Sequence, residues 1–194
     1  MQLQEHMYST LLVSASESFN ESLLSLLQEC GCDPVQIVSN ISAAKRETGE
    51  RAYDFVIVNA PLPDDMGVRF AIDVCGANTG VVLLLVRNEL HEEIREKVTP
   101  HGVFTLSKPI AKPIMRTALG WMASARERLR RSEKKTLSIE EKMAEIRLVN
   151  RAKWALIEQE HMTEAEAHRF IEKQAMDRCV PRRTIAEAIL QKGT

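Results

Sequence analysis

Between Thr10 and Leu106 the chain alternates short apolar runs with helical patterns, and this alternation limits the possible folds more than any other feature. The runs are Thr10 to Val13, Val35 to Val38, Phe55 to Val58, Val81 to Val86 and Val103 to Leu106. Between them lie Ser16 to Glu29, Ile41 to Glu50, Phe70 to Val74 and Glu89 to Glu96, and a fifth helical pattern opens near Ile114. Phe19, Leu23, Leu26 and Leu27 repeat at the spacing of one helix face, and Gly31 follows as a C-terminal stop. The loop from Asn59 to Gly67 is rich in Pro and Asp and must turn. Strands that are apolar throughout belong to a parallel sheet covered on both faces. The expected fold is therefore α/β, a flavodoxin-like five-stranded parallel sheet of order 2-1-3-4-5. In such sheets ligands bind beyond the carboxyl ends of the strands.

The residues at those ends carry a resemblance. The strand rhythm, the loop Asn59-Ala60-Pro61-Leu62-Pro63-Asp64-Asp65-Met66-Gly67 and the Ser107-Lys108-Pro109 string resemble the receiver domain of two-component response regulators, over roughly residues 8–125. The resemblance implies an acidic pair after the first strand to hold Mg²⁺. It also implies a phospho-accepting Asp after the third, a Ser or Thr after the fourth, and a Lys before a Pro after the fifth. Only Lys108 matches. Ser14 and Ala15 stand at the acidic pair, Asn59 at the phospho-acceptor, and Val86 or Arg87 at the hydroxyl position. Phosphorylation needs a carboxylate nucleophile and carboxylates to hold the cation, and neither is there. Asp64 and Asp65 lie too far down the loop to replace them. Ser14, Ala15, Asn59 and Lys108 thus read as a degenerate phosphorylation site in a pseudo-receiver. Lys108 is expected to bond Asn59 or backbone carbonyls, and the Lys108–Pro109 bond, by the same resemblance, to be cis.

Charge is divided unevenly along the chain. Residues 1–120 hold 10 Lys+Arg against 15 Asp+Glu; residues 121–194 hold 16 against 12. A basic tail on an acidic body suggests an anionic partner for the tail, although a charged helix face is often only solvated. The segment 126–137 reads as a helical connector. Ser138 and Glu141 match a capping box, so either a new helix begins there or one long helix runs through. Ile139, Met143, Ile146 and Asn150 step as a coiled-coil seam does, which suits a homodimer as well as packing of the same face within one chain. A helix opened by the Thr163–Glu166 capping box and another opened near Pro181 or Thr184, closed by Gly193, complete a three-helix unit over residues 138–194.

Within that unit four strings fall in order: Arg151-Ala152-Lys153-Trp154-Ala155-Leu156-Ile157-Glu158, Thr163-Glu164-Ala165-Glu166-Ala167, Ala175-Met176-Asp177-Arg178 and Ile185-Ala186-Glu187-Ala188-Ile189. Together they resemble the ANTAR domain, an RNA-binding module of transcription antitermination regulators, which commonly follows a receiver-like domain. One departure is that Trp154 stands where the family has Gly. The resemblance implies binding to stem-loops in a nascent mRNA leader, which prevents an overlapping terminator from folding. Lys153, Arg169, Lys173, Arg178, Arg182 and Arg183 are the expected contacts to phosphate and splayed bases, with Arg182 and Arg183 foremost. Trp154 has two readings: stacking on a base, or packing in a bundle or dimer.

Other classes are set against this. Cys30, Cys32, Cys75 and Cys179 fit neither a zinc nor a redox-pair spacing, and the five His are scattered. No cofactor, metal or catalytic constellation is expected, so the chain reads as a non-enzyme. The longest apolar run, Val81 to Val86, is far short of a membrane span, and the start at Met1 to His6 does not read as a signal peptide, so a cytoplasmic protein is expected. The alternatives are a DNA-binding response regulator, disfavoured by the apolar last helix, and a dimeric protein-interaction adaptor. Room is left for a signalling partner protein at the receiver-like domain.

Overall fold

A computed structural model describes residues 7–77 and 80–192 of the chain. The expected helix stop at Gly193 and the start at Met1 to His6 lie outside the described residues. The chain divides into two compact units, residues 1–129 and 130–194.

The first unit is a five-stranded sheet of order β2-β1-β3-β4-β5 with every pairing parallel. Its strands are β1 (Tyr8–Val13), β2 (Cys32–Val38), β3 (Phe55–Asn59), β4 (Val81–Arg87) and β5 (Phe104–Lys108). The intervening helices are α1 (Glu17–Glu29), α2 (Ile41–Glu50), α3 (Val68–Gly76) and α4 (Asn88–Val98), and α5 begins at Lys112. Successive strand residues point to opposite faces, and each face builds its own core. Leu11, Val13, Val56, Val58, Leu84 and Val86 pack with α2, α3 and α4 through Ile41, Phe70, Val74 and Ile94. Leu12, Phe55, Ile57, Leu83 and Leu85 pack with α1 and α5 through Leu23, Leu27, Leu119 and Met122. The apolar runs of β3 and β4 are buried on both sides because helices cover both faces.

Two elements differ from the sequence reading for physical reasons. Strand β2 starts at Cys32, ahead of the apolar run, and includes Pro34. It is the edge strand, where a residue without an N–H costs no ladder bond on the open side. The Ser138 capping box is not used: α5 runs without a break from Lys112 to Glu160. Helix-forming residues on both sides make continuation cheaper than a break that would leave unsatisfied backbone groups at two new ends.

The second unit comprises the later part of α5, α6 (Glu164–Asp177) and α7 (Arg182–Lys192). Ala152, Leu156, Ala167, Ile171, Ala175, Ile185 and Ala186 form its core. The many alanines let the helix backbones approach closely. The Thr163 capping box forms with both bonds: its Oγ1 accepts from the Glu166 N–H, and the Glu166 carboxylate accepts from the Thr163 N–H.

One ion pair fastens α5 to the sheet. Arg126 Nε donates to Asp54 Oδ1 at 2.9 Å, and Asp54 Oδ2 also accepts from the Ser9 N–H and hydroxyl at 3.1 and 3.2 Å. Both side chains are largely buried, so removing one leaves the other's charge less well compensated. Arg126→Ala is expected to lower stability by about 3 kcal/mol in urea denaturation. Adding Asp54→Asn to it is expected to recover part of that loss.

Candidate functional site

The parallel sheet brings the carboxyl ends of β1, β3 and β5 together, and with them Ser14, Asn59 and Lys108. Asn59 is the last residue of β3 and only 7% exposed; Ser14 follows β1 and is 1% exposed. Lys108 Nζ donates to Asn59 Oδ1 at 2.7 Å and to the Ala60 carbonyl. A lysine ammonium has only donors, so the carbonyl end of the Asn59 amide must face it. The amide nitrogen then faces Ser14, and Asn59 Nδ2 donates to Ser14 Oγ at 3.1 Å. Ser14 Oγ also accepts from the Ser16 N–H at 3.3 Å. Burial, and secondarily the neighbouring Arg87 charge, lowers the Lys108 pKa from its ordinary value. The Lys108–Pro109 peptide is cis. A cleft of about 400 Å³ opens here, lined by Ala15, Ser16, Phe19, Asn59, Pro61 and Lys108.

The two loop aspartates are employed elsewhere. Asp64 accepts from the N–H groups of Ile41 and Ser42, each at 3.0 Å, and so closes the N-terminus of α2. Those bonds, that from Ile41 first, hold its carboxyl below the ordinary range. Asp65 Oδ1 accepts from the Gly67 N–H at 2.6 Å. Gly67, at a φ of 73°, precedes α3 in a left-handed conformation. Among the described residues no group of three or more His, Cys, Asp or Glu could hold a metal ion.

In the second unit the basic residues fall into two sets. Lys153 donates to Glu164 at 3.0 Å, and Arg183 pairs with Glu187 at 2.9 Å. Arg182 lies between Glu172, at 3.5 Å, and Glu145, at 3.9 Å, joining α7 to α6 and α5. Arg169, Lys173 and Arg178 have no carboxylate within ion-pair distance among the described residues. Arg169 and Lys173 sit one turn apart on the exposed side of α6, away from buried Ala167, Ile171 and Ala175. Arg178 lines a cavity of about 310 Å³ with Phe170, Leu156 and Ile189.

Trp154 does not pack within this unit: it is 64% exposed. At 100° per residue it lies across α5 from buried Ala152 and Leu156. Arg147 and Arg151 share its face at i−7 and i−3, are exposed, and have no ion-pair partner among the described residues. The sequence reading passed over Arg147 and gave Arg151 no role, although their spacing from Trp154 was a visible helical signal. The seam residues Ile139, Met143 and Ile146 are about half exposed and belong to none of the buried cores among the described residues.

Comparison with known proteins agrees with both units. Residues 138–190 match the family model of the ANTAR domain. The signal receiver domain of an HD domain-containing protein from Pseudomonas fluorescens Pf-5 is 21% identical, with a TM-score of 0.57 over 68% of this chain and 96% of that one. A chemotaxis response regulator of Vibrio cholerae is 20% identical, with a TM-score of 0.53 over 60% of this chain and 99% of that one. These likenesses establish the receiver fold of the first unit. The chain thus joins a unit of receiver fold to a segment, residues 138–190, that matches the ANTAR domain. It is also similar to the transcriptional regulatory protein PdtaR of Mycobacterium tuberculosis, at 23% identity over 71% of this chain and 67% of the relative.

The Asn59 amide is the link between Ser14 and Lys108. Asn59→Ala removes the acceptor of one and the donor to the other. It is expected to lower stability by about 1–3 kcal/mol, read as a reduced urea midpoint at unchanged slope.

Proposed function

We propose that this chain is a transcription antitermination regulator. It binds stem-loops in nascent leader RNA through its C-terminal helices and keeps the overlapping terminator from forming. Its receiver-like domain works without aspartyl phosphorylation. The match of residues 138–190 to the ANTAR domain and the likeness to a transcriptional regulatory protein support this reading. The observation that carries it is Trp154, largely exposed on a helix face that also presents Arg147 and Arg151. An exposed indole flanked by unpaired guanidinium groups offers stacking for an unpaired base and cations for the phosphates beside it. Arg169, Lys173 and Arg178 add further cations without carboxylate partners, and Phe170 beside Arg178 gives a second aromatic surface. Lys153, Arg182 and Arg183 are held by Glu164, Glu145, Glu172 and Glu187, so phosphate must compete for them.

The bare seam of Ile139, Met143 and Ile146 supports assembly as a homodimer through α5. Two RNA-binding units held together gain through effective concentration on paired stem-loops.

Purified protein titrated with a paired stem-loop leader RNA is expected to bind with affinity that falls steeply as salt rises. Trp154→Ala is expected to weaken binding about tenfold. Arg151→Ala is expected to weaken it more than Arg183→Ala, because Arg183 already has a carboxylate partner. Affinity equal to wild type in Trp154→Ala would remove the tryptophan from the interface. Equal binding of duplex DNA would favour a DNA-binding regulator instead. After incubation with acetyl phosphate and Mg²⁺, the intact mass is expected to be unchanged, and a stoichiometric phosphoryl adduct would overturn the second part of the reading.

A further inference from the structure

The receiver-like unit has lost its carboxylates but kept its cation, and this leaves a charge to be accounted for. Lys108 is partly buried, and its hydrogen-bond partners are two neutral oxygens, Asn59 Oδ1 and the Ala60 carbonyl. Among the described residues no carboxylate lies within ion-pair distance of it. On the neighbouring strand Arg87 pairs in register with Lys108, so two cations stand at the same ends of β4 and β5. Arg87 likewise has no carboxylate within that distance among the described residues.

The hydrogen-bond inventory tilts the same way. Ser14 is 1% exposed, and its oxygen accepts from Asn59 Nδ2 and from the Ser16 N–H. With its acceptor capacity used, its own O–H has no acceptor among the described residues. One Lys108 hydrogen and one Asn59 amide hydrogen are also left over. Three side chains thus meet with more donors than the chain gives them acceptors, beside a cleft of about 400 Å³ that Asn59 and Lys108 line. Buried donors and a partly buried cation are costly unless paired. A water molecule can take up donors, but it cannot balance the charge.

We infer that this cleft is a binding site for a free small oxyanion, with Lys108 as its charge partner, the Asn59 amide as the donor beside it, and Ser14 behind the amide holding it in place. Such a ligand is held without a covalent bond, so the site needs neither the missing carboxylate nucleophile nor a metal. A phosphate or sulfate group and a carboxylate share the required chemistry. The unit would then answer the concentration of a small anion. The inference does not depend on the RNA-binding reading, because it concerns the first unit and is measured without RNA.

The test is a titration of the full-length, ¹⁵N-labelled protein with sodium phosphate, sulfate and acetate. Ionic strength is held constant with chloride, and the Asn59 side-chain amide resonances are followed. Saturable shifts with at least one oxyanion are expected, and the order among the three anions tells a tetrahedral from a planar preference. Lys108→Gln is expected to raise the dissociation constant about tenfold or more, as loss of a charge-assisted bond should. Asn59→Asp places a carboxylate beside Lys108 within the chain, and is expected to abolish binding. In that variant the backbone amides of Ala15, Ser16 and Ala60 serve as the reporters. If Lys108→Gln does not fold, Asn59→Asp still decides the matter. Shifts no larger than those produced by chloride would overturn the inference. So would saturable binding that Asn59→Asp leaves unchanged.

Discussion

Everything in the first unit depends on the sheet being parallel throughout. Parallel strands need crossovers, the crossovers place helices on both faces, and every strand end of one sense then gathers at one edge. That geometry brings Ser14, Asn59 and Lys108 together from positions dozens of residues apart. The apolar strands are thus the reason a polar site exists at all. They bury the sheet, and the polar residues that remain are those at the strand ends, where backbone pairing stops.

What occupies that edge is a chain of hydrogen bonds without a carboxylate, where the receiver resemblance leads one to expect carboxylates and a metal cation. Replacing a carboxylate by an amide at Asn59 removes a nucleophile, and it also changes the electrostatics. A carboxylate there would neutralise Lys108; an amide only accepts from it. The cation stays partly desolvated without a counter-charge, and its depressed pKa expresses that cost. Asp64 and Asp65 do not relieve it, because one closes α2 and the other bonds the Gly67 N–H. Their distance along the loop already suggested as much. Their actual partners could not have been read from the sequence, since Ile41 and Ser42 meet Asp64 only through the fold.

The strand order, the helix positions and the Asn59–Lys108 contact were legible because each follows from periodicity or from the receiver resemblance. The ends of β2 and the fate of Ser138 were not. Pro34 weakens a strand assignment unless the strand is known to be an edge, and edges are a property of the whole sheet. Ser138-x-x-Glu141 has the composition of a helix start, yet a capping signal inside a good helical sequence is outweighed by continuation. The basic residues of the second unit show the same limit. Arg182 and Arg183 stand at a helix entrance, as the sequence suggested. Whether a cation is free for a ligand depends on acids brought near by packing, and Glu145 and Glu172 come from two other helices.

From Arg131 to Ala144 every residue is exposed, so the stretch has no packed face to stabilise it. A helix of that length is marginal in water by propensity alone. Part of its support comes from continuity, since both of its ends are anchored in cores. Continuity does not account for Ile139, Met143 and Ile146 recurring on one side while charged residues occupy the others. Residues chosen only for solvation would show no such stripe. A second α5 laid along the seam would bury those three side chains, and Arg147 and Trp154, one and eight residues after Ile146, would flank it. Assembly and RNA binding would thus meet at adjoining faces of one helix, with a base stacked on Trp154 lying at the edge of the dimer seam.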